Sequence, residues 1–465
     1  MPHQFCRRLV LSGMAATLVP ISPRAQERPP AADGPRVLRA APLKRKLSPD
    51  LPGEAETWCF DGSPAVPLLR VRHGEDLSFR LANDLPAPLS LHWQGVRGPN
   101  GADGVGGLTG APVAPGASAD IRFAPPDPGI FLARPMVPGR SGELAGRGLA
   151  ALLVVDEKEP PAVDADYALL VRDWRLDPAG ELAPFGGTME AALAGRLGNK
   201  LHVDGSEAPK RVAAAPGARI RLRLVNGSNA RVMRIRFDNL KVFVGAVDGQ
   251  PTDRFEPLRA SLPLPPGTRY DLFVEAAGDL EAKGAITALI GEGMPLVEIE
   301  TRAGGQPKAP RDKPVANLQP NPRLPAEIRL QNALRKDVAI AGGATLTAAG
   351  EPSFKGDPRA IWTLNGAAGA ATSPPLFTAK RGQPVVLALH NQTGFPQPVH
   401  LHGHVCRLLH GLDDGWEPYW MDTLQVPEGK TSRIAFVADN PGKWMLGSTI
   451  LERLDTGLWG WFEVT

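Results

Sequence analysis

Three stretches of this chain are copies of one pattern. They are "VRHGEDLSFRLAND" (71–84), "AAPGARIRLRLVNG" (214–227) and "AKRGQPVVLALHNQ" (379–392). Each has a glycine and, nine residues on, an asparagine: Gly74/Asn83, Gly217/Asn226 and Gly382/Asn391. Between them apolar residues alternate: Leu77, Phe79, Leu81; Ile220, Leu222, Leu224; Val385, Leu387, Leu389. A period of two means a half-buried strand, here entered by a glycine turn and left by an asparagine turn. A turn dipeptide precedes each copy: Asp61-Gly62, Asp204-Gly205 and Asn365-Gly366. A second repeat follows each: "APGASADIRF" (114–123), "PPGTRYDLFV" (265–274) and "PEGKTSRIAF" (427–436).

A repeat of this size and periodicity predicts an all-β chain of three homologous sandwiches, each built from alternating inward-facing residues of two sheets. The copies set the domains at 36–158, 163–303 and 326–465. The Pro-rich polar stretch 304–325 reads as a linker. "TMEAALAGRL" (188–197) is the one expected helix, and arginine-rich strands such as "RIRLRL" read as solvated faces alternating with core.

With 52 basic and 49 acidic side chains, the chain lacks the electrostatic footprint of a nucleic-acid partner. The first residues carry Arg7-Arg8 ahead of an apolar run ending at Ile21, too short to span a bilayer. This reads as a twin-arginine signal over 1–25, so the mature protein is expected in the periplasm, with no membrane span. Cys6 would leave with the signal. Cys59 and Cys406 read as two buried thiols, with a disulfide between the first and last domains as the alternative.

Histidines carry the chemistry. In "QPVHLHGHVC" (397–406), His400, His402 and His404 stand two apart, on one face if the segment is a strand. His73, His202 and His390 fall at strand ends or turns and read as surface or capping residues.

These residues resemble a known family. "LHWQGVRGPNGADGVGGLTGAPVAPG" (91–116), "PDPGIFLARPM" (126–136), "QPVHLHGHVCRLL" (397–409) and "NPGKWMLGSTILERLDTGLWGWFEV" (440–464) are similar to the four ligand-bearing segments of three-domain multicopper oxidases. "NGSNARVMRIRFDN" and "AVDGQP" are similar to that family's second domain. The resemblance implies three consecutive cupredoxin-like Greek-key β-sandwiches. It also implies a type 1 copper that passes electrons to a trinuclear cluster reducing dioxygen. The cluster is held by imidazoles and the type 1 ion by imidazole, thiolate and thioether.

Matched position by position, only His92, His400 and His402 keep imidazole. His92 and His400 match the type 2 ligands and His402 a neighbouring one; His404 matches no ligand. The remaining ligand positions hold Gln94, Arg134, Met136, Gln397, Gly447, Ser448, Thr449, Arg453 and Leu458. The pattern implies an exported relative without type 1 and type 3 copper, with no cofactor. It resembles a copper-free, twin-arginine-exported member that supports cell division, with periplasmic or cell-envelope proteins as partners. The alternative is an oxidoreductase with one copper or zinc ion on the three remaining histidines.

If Arg134 and Arg453 turn inward, their cations oppose copper and can bind an anion or pair with acids. "GLWGWF" (457–462) reads as core. "DDGWEPYW" (413–420) reads as a packed loop, with a partner surface as the alternative.

Overall fold

The computed structural model describes residues 36–303, 315–409 and 415–465. The expected signal, Cys6 and residues 304–314 of the linker lie outside these. Each repeat unit becomes a pair of packed β-sheets. In the first domain, the sheet Ala55–Phe60, Arg36–Arg45, Leu77–Asn83, Ser118–Phe123 faces the sheet Leu68–Arg72, Ala151–Asp156, Gly129–Pro135, Leu91–Gln94. The second domain has sheets of seven and five strands, and the third has two of five, with a further two-stranded ribbon.

The three repeat strands, Leu77–Asn83, Arg219–Asn226 and Gln383–Asn391, occupy equivalent places. Each pairs in parallel with its domain's first long strand and antiparallel with the strand of the second repeat. All nine alternating apolar residues are buried. The preceding turns have positive φ at both central residues, as a type I′ turn requires.

The asparagines are the reason the pattern recurs. Each is buried, and its amide nitrogen donates to two or three carbonyls of the turn it closes: Asn83 to Ala87 and Val113, Asn226 to Arg231 and Leu264, Asn391 to Phe395, Val426 and Pro427. Each side-chain oxygen accepts a backbone N–H two residues on. One side chain thus ties several main-chain groups of each turn together.

Four expectations change. Arg219, Arg221 and Arg223 are buried, not solvated. Their strand sits mid-sheet, with the second domain's core on one face and the first domain on the other. Arg221 donates to Glu157 and Asp271, and Arg223 to Asp166. Arg70 of the first domain bridges Asp156 and Asp166. Beside this network Ile130, Leu132, Leu152 and Val154 of the first domain pack on Leu170 and Val225 of the second. The expected helix is cut to Thr188–Ala192: Leu193 leaves helical geometry at φ −109° and ψ −127°, and Gly195 then takes a left-handed φ of 82°. Two further short helices appear, Ser141–Gly146 and Leu451–Asp455. The described part of the linker is anchored: Val315 and Leu318 are buried against Ala246 and Phe273.

His202 is the fourth. It is buried within the strand Lys200–Val203, edge-on to Trp174, with Nε2 2.8 Å from the Leu47 carbonyl. His73 and His390 are partly exposed, as expected. Cys59 and Cys406 are free and buried. No described helix is long and apolar enough to cross a membrane.

Burial lowers the His202 pKa to about 4, from an ordinary 6.5. Between those values the unfolded chain binds a proton that the native state refuses. Stability contributed by His202 is therefore full above pH 6.5 and falls as pH drops toward 4. Urea midpoints measured across that window should fall with acidification. His202→Gln should flatten the slope by up to about 1.4 kcal/mol per pH unit. An equal slope in both proteins would show that this ring is not held neutral.

Candidate metal centre

The edge strand Leu91–Gln94 of the first domain meets the strand Gln397–Leu401 of the third, and the three remaining histidines converge there. His92, His400 and His402 are all buried, and one ring nitrogen of each lies within 4.8 Å of the others. His92 stacks on His402 with centroids 3.9 Å apart, and His400 lies tilted 4.6 Å from His402. His400 lies in the strand and His402 joins it from the turn that follows, so the one-faced row expected for His400, His402 and His404 does not form. His404 turns away into an aromatic cage of Phe436, Trp444 and Phe462, where burial lowers its pKa to about 4.

Hydrogen bonds fix the ring tautomers. His92 Nδ1 lies 2.8 Å from the main-chain oxygen of Asp103, and His400 Nδ1 lies 3.0 Å from that of Asp422. A carbonyl oxygen only accepts, so both Nδ1 atoms carry the proton. His402 Nδ1 sits 3.1 Å from the Asp103 carboxylate. In the neutral rings each Nε2 is then a lone pair. His92 Nε2 and His400 Nε2 are 3.2 Å apart, two acceptors facing each other. That contact is repulsive unless a donor hydrogen or a metal ion sits with it. Burial opposes the proton: it holds the His400 pKa below its ordinary value and the His402 pKa down to about 3. A metal-binding imidazole characteristically has its other N–H tied to a carbonyl or carboxylate, and all three rings meet that condition.

The acids that orient these rings were not singled out from the sequence. Asp103 is the acid of "DGV" in the first segment, buried between His92 and His402, which hold its carboxyl below the usual range despite desolvation. Asp422 is buried against His400 and Arg269. Arg269 donates to Ile130 O of the first domain, to Gly267 O and Asp248 O of the second, and to the Asp422 carboxylate of the third. Asp248 accepts from the main chain of Asp422 and Thr423.

The other ligand positions gather in two places. Near the three histidines, Gln94 Nε2 donates to Thr423 Oγ1 at 2.9 Å, joining the first and third domains. Arg134 lies opposite His92 in the sheet and donates to Thr449 O at 3.3 Å. Burial lowers its pKa to about 10. Met136 packs with Met445, Leu454, Trp459 and Trp461. Gly447 pairs with His400 between strands.

The second group surrounds Arg453. Its guanidinium donates to Gln397 Oε1 at 2.7 Å, to Pro396 O and to Leu193 O, and lies over the Trp362 ring. Leu458 N donates to Arg453 O, and Ser448 N to Leu458 O. Both arginines therefore point inward, and both are met by carbonyl and amide oxygens rather than by acids. The "GLWGWF" residues Leu458, Trp459, Trp461 and Phe462 are buried. In the described part of the 413–420 loop, Trp416 and Trp420 pack inward and Tyr419 stacks on Phe255.

Comparison with known proteins places these features. Three family models described as multicopper oxidase match residues 43–160, 171–288 and 345–465. The chain is 28% identical to multicopper oxidase MmcO of Mycobacterium tuberculosis, over 94% of this chain and 88% of that one. It is 26% identical to cell division protein FtsP of Sodalis glossinidius, over 97% and 96%. Among solved structures, a multi-copper oxidase from Pseudomonas thermotolerans superposes with a TM-score of 0.81 at 29% identity, covering 93% of this chain and 99% of that one. One from Pseudomonas parafulva gives 0.79 at 30%, covering 93% and 100%.

Arg269→Met should strip the counter-charge from Asp422 and leave it buried. The loss should be about 3–5 kcal/mol in urea unfolding. Adding Asp422→Asn should recover part of it; no recovery would mean that the two charges are not coupled.

Proposed function

We propose, for a chain that belongs to the multicopper oxidase family, that it is an exported member which has lost its type 1 and type 3 copper sites and serves as a periplasmic scaffold or interaction protein. The observation that carries this reading is the buried guanidinium of Arg453 bonded to Gln397. Both stand where the family pattern calls for type 1 imidazoles, and Ser448 and Leu458 stand where it calls for thiolate and thioether. A guanidinium, an amide, a hydroxyl and a methyl group supply no soft donor. Arg134 and Met136 likewise replace imidazoles with a cation and an apolar side chain. Without a type 1 ion, electrons have no route to a dioxygen-reducing cluster.

The positive reading draws on two further features. The arginine pair and apolar run at the start of the chain favour twin-arginine export. The similarity to a cell division protein over nearly the whole of both chains favours partners in the cell envelope. Purified protein incubated with copper and dialysed should show no blue absorption and should not oxidise phenols. A blue band, or oxygen uptake driven by a phenol, would overturn the reading.

The facing lone pairs of His92 and His400 favour a second reading for the same fold. His92, His400 and His402 present a donor set suited to one copper or zinc ion. Bound there, the ion would supply Lewis acidity or a structural clamp between the first and third domains. Elemental analysis after dialysis should then give one ion per chain. His400→Ala should lose it and His404→Ala should keep it. Metal-free wild-type protein after loading would reject this second reading and leave the first intact.

A further inference from the structure

A small recess lies where the first domain meets the second, far in the chain from the histidine cluster. Residues 63–67 form its lip, and Trp58, Cys59, Gly148 and Gly205 line its wall. Two guanidinium groups reach it, Arg45 from the first domain and Arg172 from the second. Their carbon centres lie 5.2 and 4.5 Å from the centre of the Trp174 indole. Arg172 donates to Gly148 O and Ala145 O, both at 2.7 Å, and Arg45 donates to Pro64 O at 3.2 Å. The Nε of each, and the Trp58 indole N–H, are buried donors with no partner among the described residues.

No carboxylate is within ion-pair distance of these cations among the described residues, although the Asp173 charge is felt by Arg172. Nearby acids are engaged elsewhere: Asp173 accepts from Arg231 and from Gly198 N, and Asp61 accepts from Arg39 N. The Cys59 thiol beside Arg45 stays neutral, because burial raises its pKa. Burial, then repulsion from Arg45, lowers the Arg172 pKa to about 9. Two like charges, Arg172 buried and Arg45 half-buried, are held over one indole, which costs free energy until a counter-ion arrives.

We propose that this recess binds a small inorganic anion of halide size between Arg45 and Arg172, joining the first domain to the second. The chemistry of the lining favours it: the buried unpartnered atoms are N–H donors, and the Pro64, Pro67 and Gly148 carbonyls already accept hydrogen bonds. Because one arginine comes from each domain, the ion adds an interdomain contact.

Two measurements on the full chain test this, with bromide as the probe. Crystals equilibrated in sodium bromide should show an anomalous peak between Arg45 and Arg172. In thermal melts at fixed ionic strength, replacing sodium gluconate with sodium bromide should raise Tm by a few degrees. Arg45→Gln should lose that gain, and Arg433→Gln, exposed on the third domain, should keep it. If Arg45→Gln does not fold, Arg45→Lys replaces it and should retain only part of the gain. No peak at the recess, or a gain undiminished in the Arg45 variant, would mean water or an adventitious ion only and would overturn the proposal.

Discussion

One buried cation holds the three domains in register. Arg269 is fully enclosed, and its donors end on main-chain oxygens of the first and second domains and on a carboxylate of the third. A guanidinium removed from water without its partners would cost several kcal/mol, so no arrangement that separates those partners is tolerated. Its planar fork also fixes direction, which a lysine ammonium would not. Asp422 passes that constraint on. The residue that neutralises Arg269 also accepts from His400 through its main-chain oxygen, so the position of the histidine cluster depends on the three-domain junction.

The seams elsewhere follow the same economy with different partners. Between the first and second domains, Arg70, Arg221 and Arg223 meet acids. At the family's ligand positions, Arg134 and Arg453 meet carbonyl and amide oxygens, and Gln94 meets a hydroxyl. Each such hydrogen bond contributes about 1 kcal/mol net, and more when one partner is charged. On the proposed reading, direct side-chain contacts across the first and third domains take the place of metal bonds. The chain would keep the shape of an oxidase through ordinary packing. That suits a protein whose use is its surface.

The sequence made the fold legible because the repeat is local. Alternation over seven residues, a glycine before and an asparagine after are all set by near neighbours, and every one of those positions behaves as read. It misread the places where a second domain supplies the environment. "RIRLRL" alternates as a half-exposed strand should, but its arginine face is covered by another domain carrying matching acids, which a single strand cannot reveal. His202 is buried in the same way, by the Leu47 segment of the first domain. His400 and His402 drew attention through their spacing, whereas His92 joined them only through the family resemblance, and the same spacing wrongly included His404. The acids that orient the cluster were not readable, since Asp103 and Asp422 come from distant loops and act partly through their main-chain oxygens, which no side-chain pattern encodes. Asp103 did carry a signal, as the one acid in a segment already read for its histidine.

The histidine seam differs from the other junctions in one respect. At the arginine junctions most guanidinium hydrogens are aimed at oxygens, although the Nε of Arg134, Arg221 and Arg453 has no partner among the described residues. His92 and His400 are both protonated on the nitrogen that faces the protein, and their bare nitrogens face each other. Turning either ring over would break its bond to a main-chain oxygen and leave an N–H and a carbonyl unsatisfied in a dry site, a cost of about 1–3 kcal/mol for each group. Keeping both rings as they are leaves two lone pairs in want of a partner: a water hydrogen, a proton or a metal ion. On the second proposed reading that partner is a metal ion, and His402 offers it a third donor.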